Sequence, residues 1–124
     1  MIREGGEPVA EKIRVRASLR LVKAGKLFGP GIAQLLEGVD KLGSLRRSAA
    51  HMQMSYNKAW SVIHDCEEQL GFPLLERRIG GAGGGGAALT EKGRELLCRY
   101  RAFDTEAHEM LERLAQEYFA EILD

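Results

Sequence analysis

Apolar and polar residues alternate near the start of the chain. From Ile13 to Leu21 every odd position is apolar, and three of the four intervening positions are arginine. A period of two predicts a strand with one buried face. A turn at residues 23–26 and a return through Leu27 and Phe28 complete the pattern of a small antiparallel hairpin.

The period changes to that of a helix after Pro30. Apolar residues recur three and four positions apart until Gly43, a residue typical of a helix end. Ser44 offers a side-chain cap for a second, shorter helix that reaches about His51. The sequence therefore predicts two consecutive helices in this region.

A third helix is predicted from its cap, Ser55, to Leu70, with Gly71 as its end. Because the opposite half is polar, that half is expected to face outward. Trp60 lies at the edge of the apolar half, so packing against a neighbouring element and display to solvent remain alternatives. The apolar half consists of Ala59, Trp60, Val62, Ile63, Cys66 and Leu70.

The remaining chain contains a strand-like segment at residues 74–79, a glycine tract, a return at residues 87–89 and a long helix capped by Thr90. Apolar residues recur along this helix at spacings of four and three, as in a coiled coil. These residues either pack against the core of their own chain, with the helix folded back, or form a dimer interface. We expect the dimer interface for so long a helix. The predicted interface residues are Leu96, Tyr100, Phe103, Ala107, Met110 and Leu114.

These elements predict a mostly α fold with small β-hairpins. A short helix, a tight break and a capped second helix are typical of a helix-turn-helix, and a hairpin after them has the place of a wing. The predicted domains are a disordered lead-in at residues 1–12, a winged helix-turn-helix DNA-binding domain at 13–89, and a long C-terminal dimerisation helix at 90–124.

Charge is sorted along the chain although its sum over 124 residues is zero. Residues 13–65 contain nine Lys or Arg and three acids, whereas residues 101–124 contain two Arg and seven acids. A basic body and an acidic tail suit a protein that approaches a polyanion with one part only.

Several classes of function are disfavoured. The opening residues lack the apolar core of a signal peptide and no segment has the length of a membrane span, so a cytoplasmic protein without membrane contact is expected. Cys66 and Cys98 lack metal-ligand spacing and are predicted to be buried thiols. The three histidines lie in separate helices without a catalytic grouping, and we expect neither an enzyme nor a cofactor or metal.

The glycine tract holds six glycines among residues 80–86, and Gly81, Gly83 and Gly86 satisfy G-x-G-x-x-G. A dinucleotide site also needs a helix directly after the glycines and a second parallel strand, and both are missing from the pattern. Glycine instead allows a hairpin tip to approach a sugar-phosphate backbone closely. The tract is therefore interpreted as the tip of a DNA-binding wing.

Residues 44–93 resemble the N-terminal DNA-binding domain of molybdate-responsive regulators of the ModE type, itself similar to the LysR-type winged helix-turn-helix. The resemblance rests on S-Y-x-x-A-W from Ser55, on L-x-E-R from Leu74, and on G-G-x-G-G-G-G-A-x-L-T from Gly80. It implies a transcription regulator. Molybdate binding is not expected, because the family places it in a later domain.

The expected partners are double-stranded DNA with a pseudo-palindromic operator and a second copy of the chain. Side chains of the third helix are candidates at the major groove, and arginines on either side are candidates at phosphates. The alternative is a winged-helix protein-interaction module that has lost DNA binding. The candidate DNA contacts are Arg46, Arg47, Ser55, Tyr56, Asn57, Lys58, Ser61, His64, Arg77, Arg78, Gly81 and Gly83.

Overall fold

The helices and strands follow the predicted order. The computed structural model describes residues 13–78 and 86–123. Within these residues the predicted fold class is confirmed, with two antiparallel hairpins, β1–β2 and β3–β4, and a long last helix. The elements are β1 (Leu21–Val22), β2 (Lys26–Phe28), α1 (Pro30–Leu42), α2 (Leu45–His51), α3 (Tyr56–Leu70), β3 (Leu75–Arg78), β4 (Gly86–Leu89) and α4 (Glu91–Leu123).

The predicted first strand is shorter than its sequence pattern. Burial alternates from residue 13 to residue 21 as expected, yet pairing with β2 is confined to Leu21–Val22. Backbone carbonyl oxygens before β1 instead accept hydrogen bonds from side chains of α4. The Tyr100 hydroxyl donates to Leu19 O at 2.8 Å. An alternating pattern indicates one buried face, and it leaves open whether a strand or a helix lies against it.

Helices α1 and α2 approach closely because small residues face each other. A Cβ atom added at Gly38 would lie 2.0 Å from Ser48 Oγ and 2.8 Å from Ser48 Cβ. Ser48 is 1% exposed, and its hydroxyl donates a 2.7 Å hydrogen bond to Leu35 O. The buried hydroxyl thus has a hydrogen-bond partner, and α1 and α2 remain in close contact.

The core draws on α1, α2, α3, the base of the β3–β4 hairpin and the first half of α4. Tyr100 packs edge-on against Phe28, with ring centroids 5.1 Å apart. Cys66 is buried, and this burial raises the pKa of its thiol to about 11. Cys98 is exposed, so the prediction that both thiols are buried is wrong for Cys98.

The chain divides into two compact units inside α4. Ser18–Ala102 form the first unit, and the described residues up to Ala17 and from Phe103 onward form the second. In the first unit, an Arg94–Asp40 ion pair of 2.8 Å joins α4 to α1. None of the described helices has both the length and the apolar character needed to cross a membrane.

The second unit is held together by contacts between α4 and the extended segment, residues 13–17. Gln116 Nε2 donates to Ile13 O at 3.2 Å, and Arg14 pairs with Glu112 at 2.9 Å. The Arg14 guanidinium lowers the pKa of the Glu112 carboxyl through this hydrogen bond.

Candidate nucleic-acid interface

Both predicted serine caps are present. The Ser44 hydroxyl accepts a 3.1 Å hydrogen bond from Arg47 N, and the Ser55 hydroxyl accepts one of 3.1 Å from Lys58 N. Each hydroxyl thus satisfies a backbone donor that the first turn of a helix leaves without a partner. The caps fix where α2 and α3 begin.

The turn between α2 and α3 is tight and partly buried. Met54 N donates to Ala49 O at 2.8 Å, and Gln53 adopts a left-handed φ of 56°. Met52 and Met54 pack against the core, while Ala49 is 1% exposed. The small side chain of Ala49 and the two methionines occupy the inside of the turn.

Helix α3 displays most of the predicted base-reading residues. Asn57, Lys58 and Ser61 are exposed, Tyr56 is exposed to a lesser degree, and His64 is half-buried. The opposite face is fixed in the core by the buried residues Ala59, Ile63 and Cys66. The structure therefore brings the predicted set onto the outward half of one helix.

Charge is unevenly distributed along the outward half of α3. Lys58 lies in its first turn, whereas Asp65 and Glu68 lie in its second half, where Glu68 is 3.2 Å from His64. The N-terminal half of α3 is thus the part whose charge suits a polyanion.

Two arginines of α2 lie beside the start of α3. The guanidinium carbon of Arg46 is 4.2 Å from the centroid of the Tyr56 ring, within the range of a cation–π contact. Arg47 is exposed. The contact ties the Arg46 side chain to the beginning of the displayed helix.

The wing carries the other two candidate arginines. In the β3–β4 hairpin Arg77 is paired with Ala87 and Arg78 with Gly86, and both arginines are exposed. The predicted contacts Gly81 and Gly83 lie outside the described residues.

The base of the wing is anchored to α1 and α3. Ala87 N donates a 2.9 Å hydrogen bond to the carbonyl oxygen of Gly43, the left-handed residue that ends α1. The Glu67 carboxylate of α3 accepts a 2.6 Å hydrogen bond from Leu74 N and a 3.3 Å one from Leu75 N. These backbone contacts position the wing beside α3, and the sequence pattern gave no sign of them.

Thr90 connects the wing to α4. Its hydroxyl accepts a 2.9 Å hydrogen bond from Gly93 N, which confirms the predicted cap. The same hydroxyl donates to Pro73 O at 2.7 Å. The start of α4 is therefore fixed to the segment that leads into β3.

Trp60 is displayed, which decides between the two alternatives that its position on the helical wheel left open. Its side chain is 51% exposed and stacks on His64, with ring centroids 4.7 Å apart and planes 13° apart. It lines a cleft of about 250 Å³ between α3 and the wing, with Arg77 among the other lining residues. The display of Trp60 adds an aromatic surface to the candidate interface.

The predicted apolar seam of α4 is divided between the two units. In the first unit Leu96 is half-buried and Tyr100 is only 5% exposed. Tyr100 therefore belongs to the core of its own chain, because its ring packs against Phe28, and its place in the predicted interface is corrected.

In the second unit the seam is largely open. Phe103, Met110 and Leu114 are each about half exposed, and Ala107 is half-buried. Exposed apolar residues continue beyond the predicted seam, where the four-residue spacing from Leu114 to 118 and 122 was the available signal. The additional residues are Tyr118, Phe119, Ile122 and Leu123.

Comparison with known families matches residues 33–94, half of the chain, to the bacterial regulatory helix-turn-helix proteins of the lysR family. The matched residues run from the first turn of α1 to the first turn of α4. They contain the helix-turn-helix and the wing, the two parts that the geometry joins into one surface.

Three relatives support the resemblance to ModE. The chain is 37% identical over 83 residues to the molybdenum transport protein ModE of Azotobacter vinelandii, covering 67% of this chain and 31% of that protein. It is 38% identical over 76 residues to the DNA-binding transcriptional dual regulator ModE of Escherichia coli K12, covering 60% and 29%. It is 30% identical over 91 residues to the molybdenum-pterin-binding protein MopB of Rhodobacter capsulatus, covering 73% and 34%. The matched part of the chain spans about a third of the length of these relatives.

Proposed function

The chain belongs to the LysR family of bacterial regulatory helix-turn-helix proteins, which are DNA-binding transcription regulators and not enzymes, and we propose that it binds a pseudo-palindromic operator as a homodimer. The observation that supports this most directly is the outward half of α3. It displays Asn57 and Ser61, while Arg46 of α2 contacts Tyr56 at the start of α3 and Arg77 of the wing lines the cleft beside Trp60.

In this proposal α3 reads base edges in the major groove. Asn57 has the donor and acceptor pair that matches adenine, Lys58 donates to guanine, and Ser61 serves either. His64 borders these residues on the outward half, and Tyr56, in the first turn of α3, lines the cleft beside Trp60.

Contacts to the phosphate backbone are assigned to the flanking elements. Arg46 and Arg47 of α2 and Arg77 of the wing neutralise phosphates and position the protein without reading sequence. Arg78, Ser55 and the tip glycines Gly81 and Gly83 complete the proposed backbone contacts.

The open part of the α4 seam supports a two-fold dimer. Phe103, Met110 and Leu114 place apolar surface on one side of the helix without covering it within the described residues of their unit. Pairing through α4 would bring two recognition helices about 34 Å apart, one turn of DNA, so that each reads half of a pseudo-palindrome.

Selection of binding sites from random DNA tests the function. The purified chain should enrich an inverted repeat whose half-sites are about ten base pairs apart. Failure to enrich any sequence, with the protein folded by circular dichroism, would favour the interaction-module alternative.

Variants then separate the two kinds of contact. Arg77→Ala should weaken binding to all DNA alike and reduce the salt slope by about one unit, because one fewer phosphate is neutralised. Asn57→Ala should cost about 1–3 kcal/mol on the enriched site and much less on random DNA. Equal losses on both kinds of DNA for both variants would contradict the assignment of roles.

Two further expectations follow from the proposed function. A regulator of transcription acts where the chromosome is, which places the chain in the cytoplasm. The absence of molybdate binding by these 124 residues stays a prediction, and calorimetry with molybdate tests it directly.

A further inference from the structure

Trp60 lies on the side of α3 that faces the wing. The core residues Ala59 and Ile63 define the buried side, and Trp60 is rotated about 90° from the centre of that side at 100° per residue. Asn57 and Ser61 lie farther round in the same direction. The Trp60 indole therefore lies beside the proposed base-reading side chains and not between them and the core.

The indole is supported by its own helix. Its ring stacks on His64, and His64 is in turn 3.2 Å from the Glu68 carboxylate. The three residues are spaced four apart, so they follow one side of α3. This stack limits the orientations open to an exposed tryptophan and keeps its ring beside the cleft.

The cleft combines apolar walls with one cationic side chain. Trp60, Ile63, Leu75 and Ala87 provide apolar surface, and Arg77 lies on the wing side. One strand of DNA, with its phosphates toward Arg77 and its base edges toward α3, has the matching chemistry. Two acidic side chains also line the cleft: Glu67, whose carboxylate accepts hydrogen bonds from Leu74 N and Leu75 N, and the exposed Glu76 of the wing.

Among the base edges of the major groove, the 5-methyl group of thymine is the apolar one. It lies on the side of the base nearest its own backbone, and therefore at the wall of the groove rather than at its centre. Trp60 lies correspondingly at the wing-facing side of α3 rather than at its outermost point. A flat apolar ring at this position fits a methyl group, whereas it offers no donor pair for guanine or acceptor for cytosine.

We propose that Trp60 is a specificity-determining residue that contacts the 5-methyl group of a thymine in each half-site, and that His64 is the positioning residue that holds the indole. This inference rests on the proposed function. It assigns to the wing-facing side of α3 a preference for thymine that is distinct from the polar readout by Asn57 and Ser61.

The test replaces single thymines of the selected operator by deoxyuridine, which removes the methyl group and keeps the pairing with adenine. At one position of the half-site the parent protein should bind about fourfold more weakly, since one buried methyl group contributes about that factor. With both half-sites substituted the loss should be about fifteenfold. Deoxyuridine outside the half-sites serves as the control.

The protein variants complete a cycle with the DNA substitution. Trp60→Ala should bind the thymine and deoxyuridine operators alike, whereas Trp60→Phe should keep part of the difference. His64→Ala should reduce the difference, and His64→Phe, which keeps a ring for stacking, should restore it.

The outcomes distinguish this inference from the proposed function. Lack of any enriched operator contradicts the function itself. An operator that is enriched but has no methyl-sensitive thymine, or has one that Trp60→Ala still senses, overturns the role of Trp60 and leaves the function standing. If neither Trp60→Ala nor Trp60→Phe folds by circular dichroism, Trp60 is a structural residue and the inference also falls.

Discussion

At the scale of single residues, neighbours decide what the sequence pattern leaves open. Gly38 stands in the middle of α1, where glycine is unfavourable by about 1 kcal/mol relative to alanine. The reason for it is Ser48, whose side chain occupies the place of a Cβ atom. Nothing in the spacing of apolar residues identifies such a pair, because its members are ten positions apart and neither belongs to an apolar stripe.

Gly38→Ala is therefore expected to destabilise the fold by about 1–3 kcal/mol, since overpacking outweighs the better helix propensity. Gly31 of the same helix is the matched control, because an added Cβ atom there meets nothing within 4 Å. Gly31→Ala should be neutral or slightly stabilising. Urea unfolding of both variants measures the difference, and a Gly38→Ala protein as stable as Gly31→Ala would contradict the close packing.

Two aromatic residues show the same limit of sequence reasoning. A helical wheel places Trp60 at the edge of an apolar half and Tyr100 within an apolar seam, but it does not say which surface each residue meets. In the structure Trp60 is displayed beside the wing and Tyr100 is buried against Phe28. The wheel predicts the direction of a side chain, whereas its surroundings depend on contacts distant in sequence.

At the scale of elements, local chemistry made the prediction most reliable. The caps Ser55 and Thr90 act on donors within three residues, so their sequence signals were sufficient to place the starts of α3 and α4. The extended segment 13–17 was harder, because the alternation that predicted a strand arises from packing beside α4. The buried face of this segment could be predicted from the sequence, whereas the element to which it hydrogen-bonds could not.

His108 makes the attachment of this segment dependent on pH. Its Nδ1 lies 2.8 Å from Asp104 O and its Nε2 lies 3.0 Å from Ala17 O. Because only the protonated ring donates from both nitrogens, these carbonyl oxygens raise the pKa of His108, and the nearby Asp104 and Glu112 carboxylates raise it further. The stabilisation is fully present below the unfolded-state pKa of about 6.5 and is lost as pH rises through the higher folded-state value.

The expected result is a melting-temperature advantage of the parent over His108→Gln that is larger at pH 6 than at pH 8. Glutamine keeps one donor but does not titrate, so it serves as a variant whose contact with Ala17 is independent of pH. An NMR titration should show a pKa of the His108 ring above the ordinary histidine value of about 6.5. An equal advantage at both pH values would show that protonation does not strengthen the contact.

At the scale of the whole molecule, charge is distributed unevenly along the chain. Residues 13–65 carry nine Lys or Arg and three acids, whereas residues 101–124, at the end of α4, carry two Arg and seven acids. Under the proposed function, this uneven charge would attract DNA to the basic region and leave the apolar seam, in the acidic region, for the second copy of the chain. Charge and apolar spacing can be counted from the sequence without knowing the packing, whereas the division of roles that they suggest stays a prediction.

Leu114→Arg is expected to shift the chain from dimer to monomer, because two opposed charges of the same sign would be placed in an apolar interface. Light scattering at tens of micromolar should report the lower mass, and affinity for the full operator should fall toward that for a half-site. Thr105→Arg adds the same charge on the opposite side of α4 and should remain dimeric. A dimeric Leu114→Arg protein would contradict the proposed interface.

In the contact between α4 and the extended segment, two repeats of nearly equal length run side by side. Side chains four residues apart on the helix meet backbone groups two residues apart in the segment: His108 with Ala17, Glu112 with Val15, and Gln116 with Ile13. Four helical residues advance about 6.0 Å and two extended residues about 6.6 Å. The mismatch between the two repeats therefore accumulates by about 0.6 Å at each step. This mismatch is small enough for three successive pairs to keep their hydrogen bonds. In a much longer straight contact the mismatch would become too large, and either the helix or the segment would have to bend.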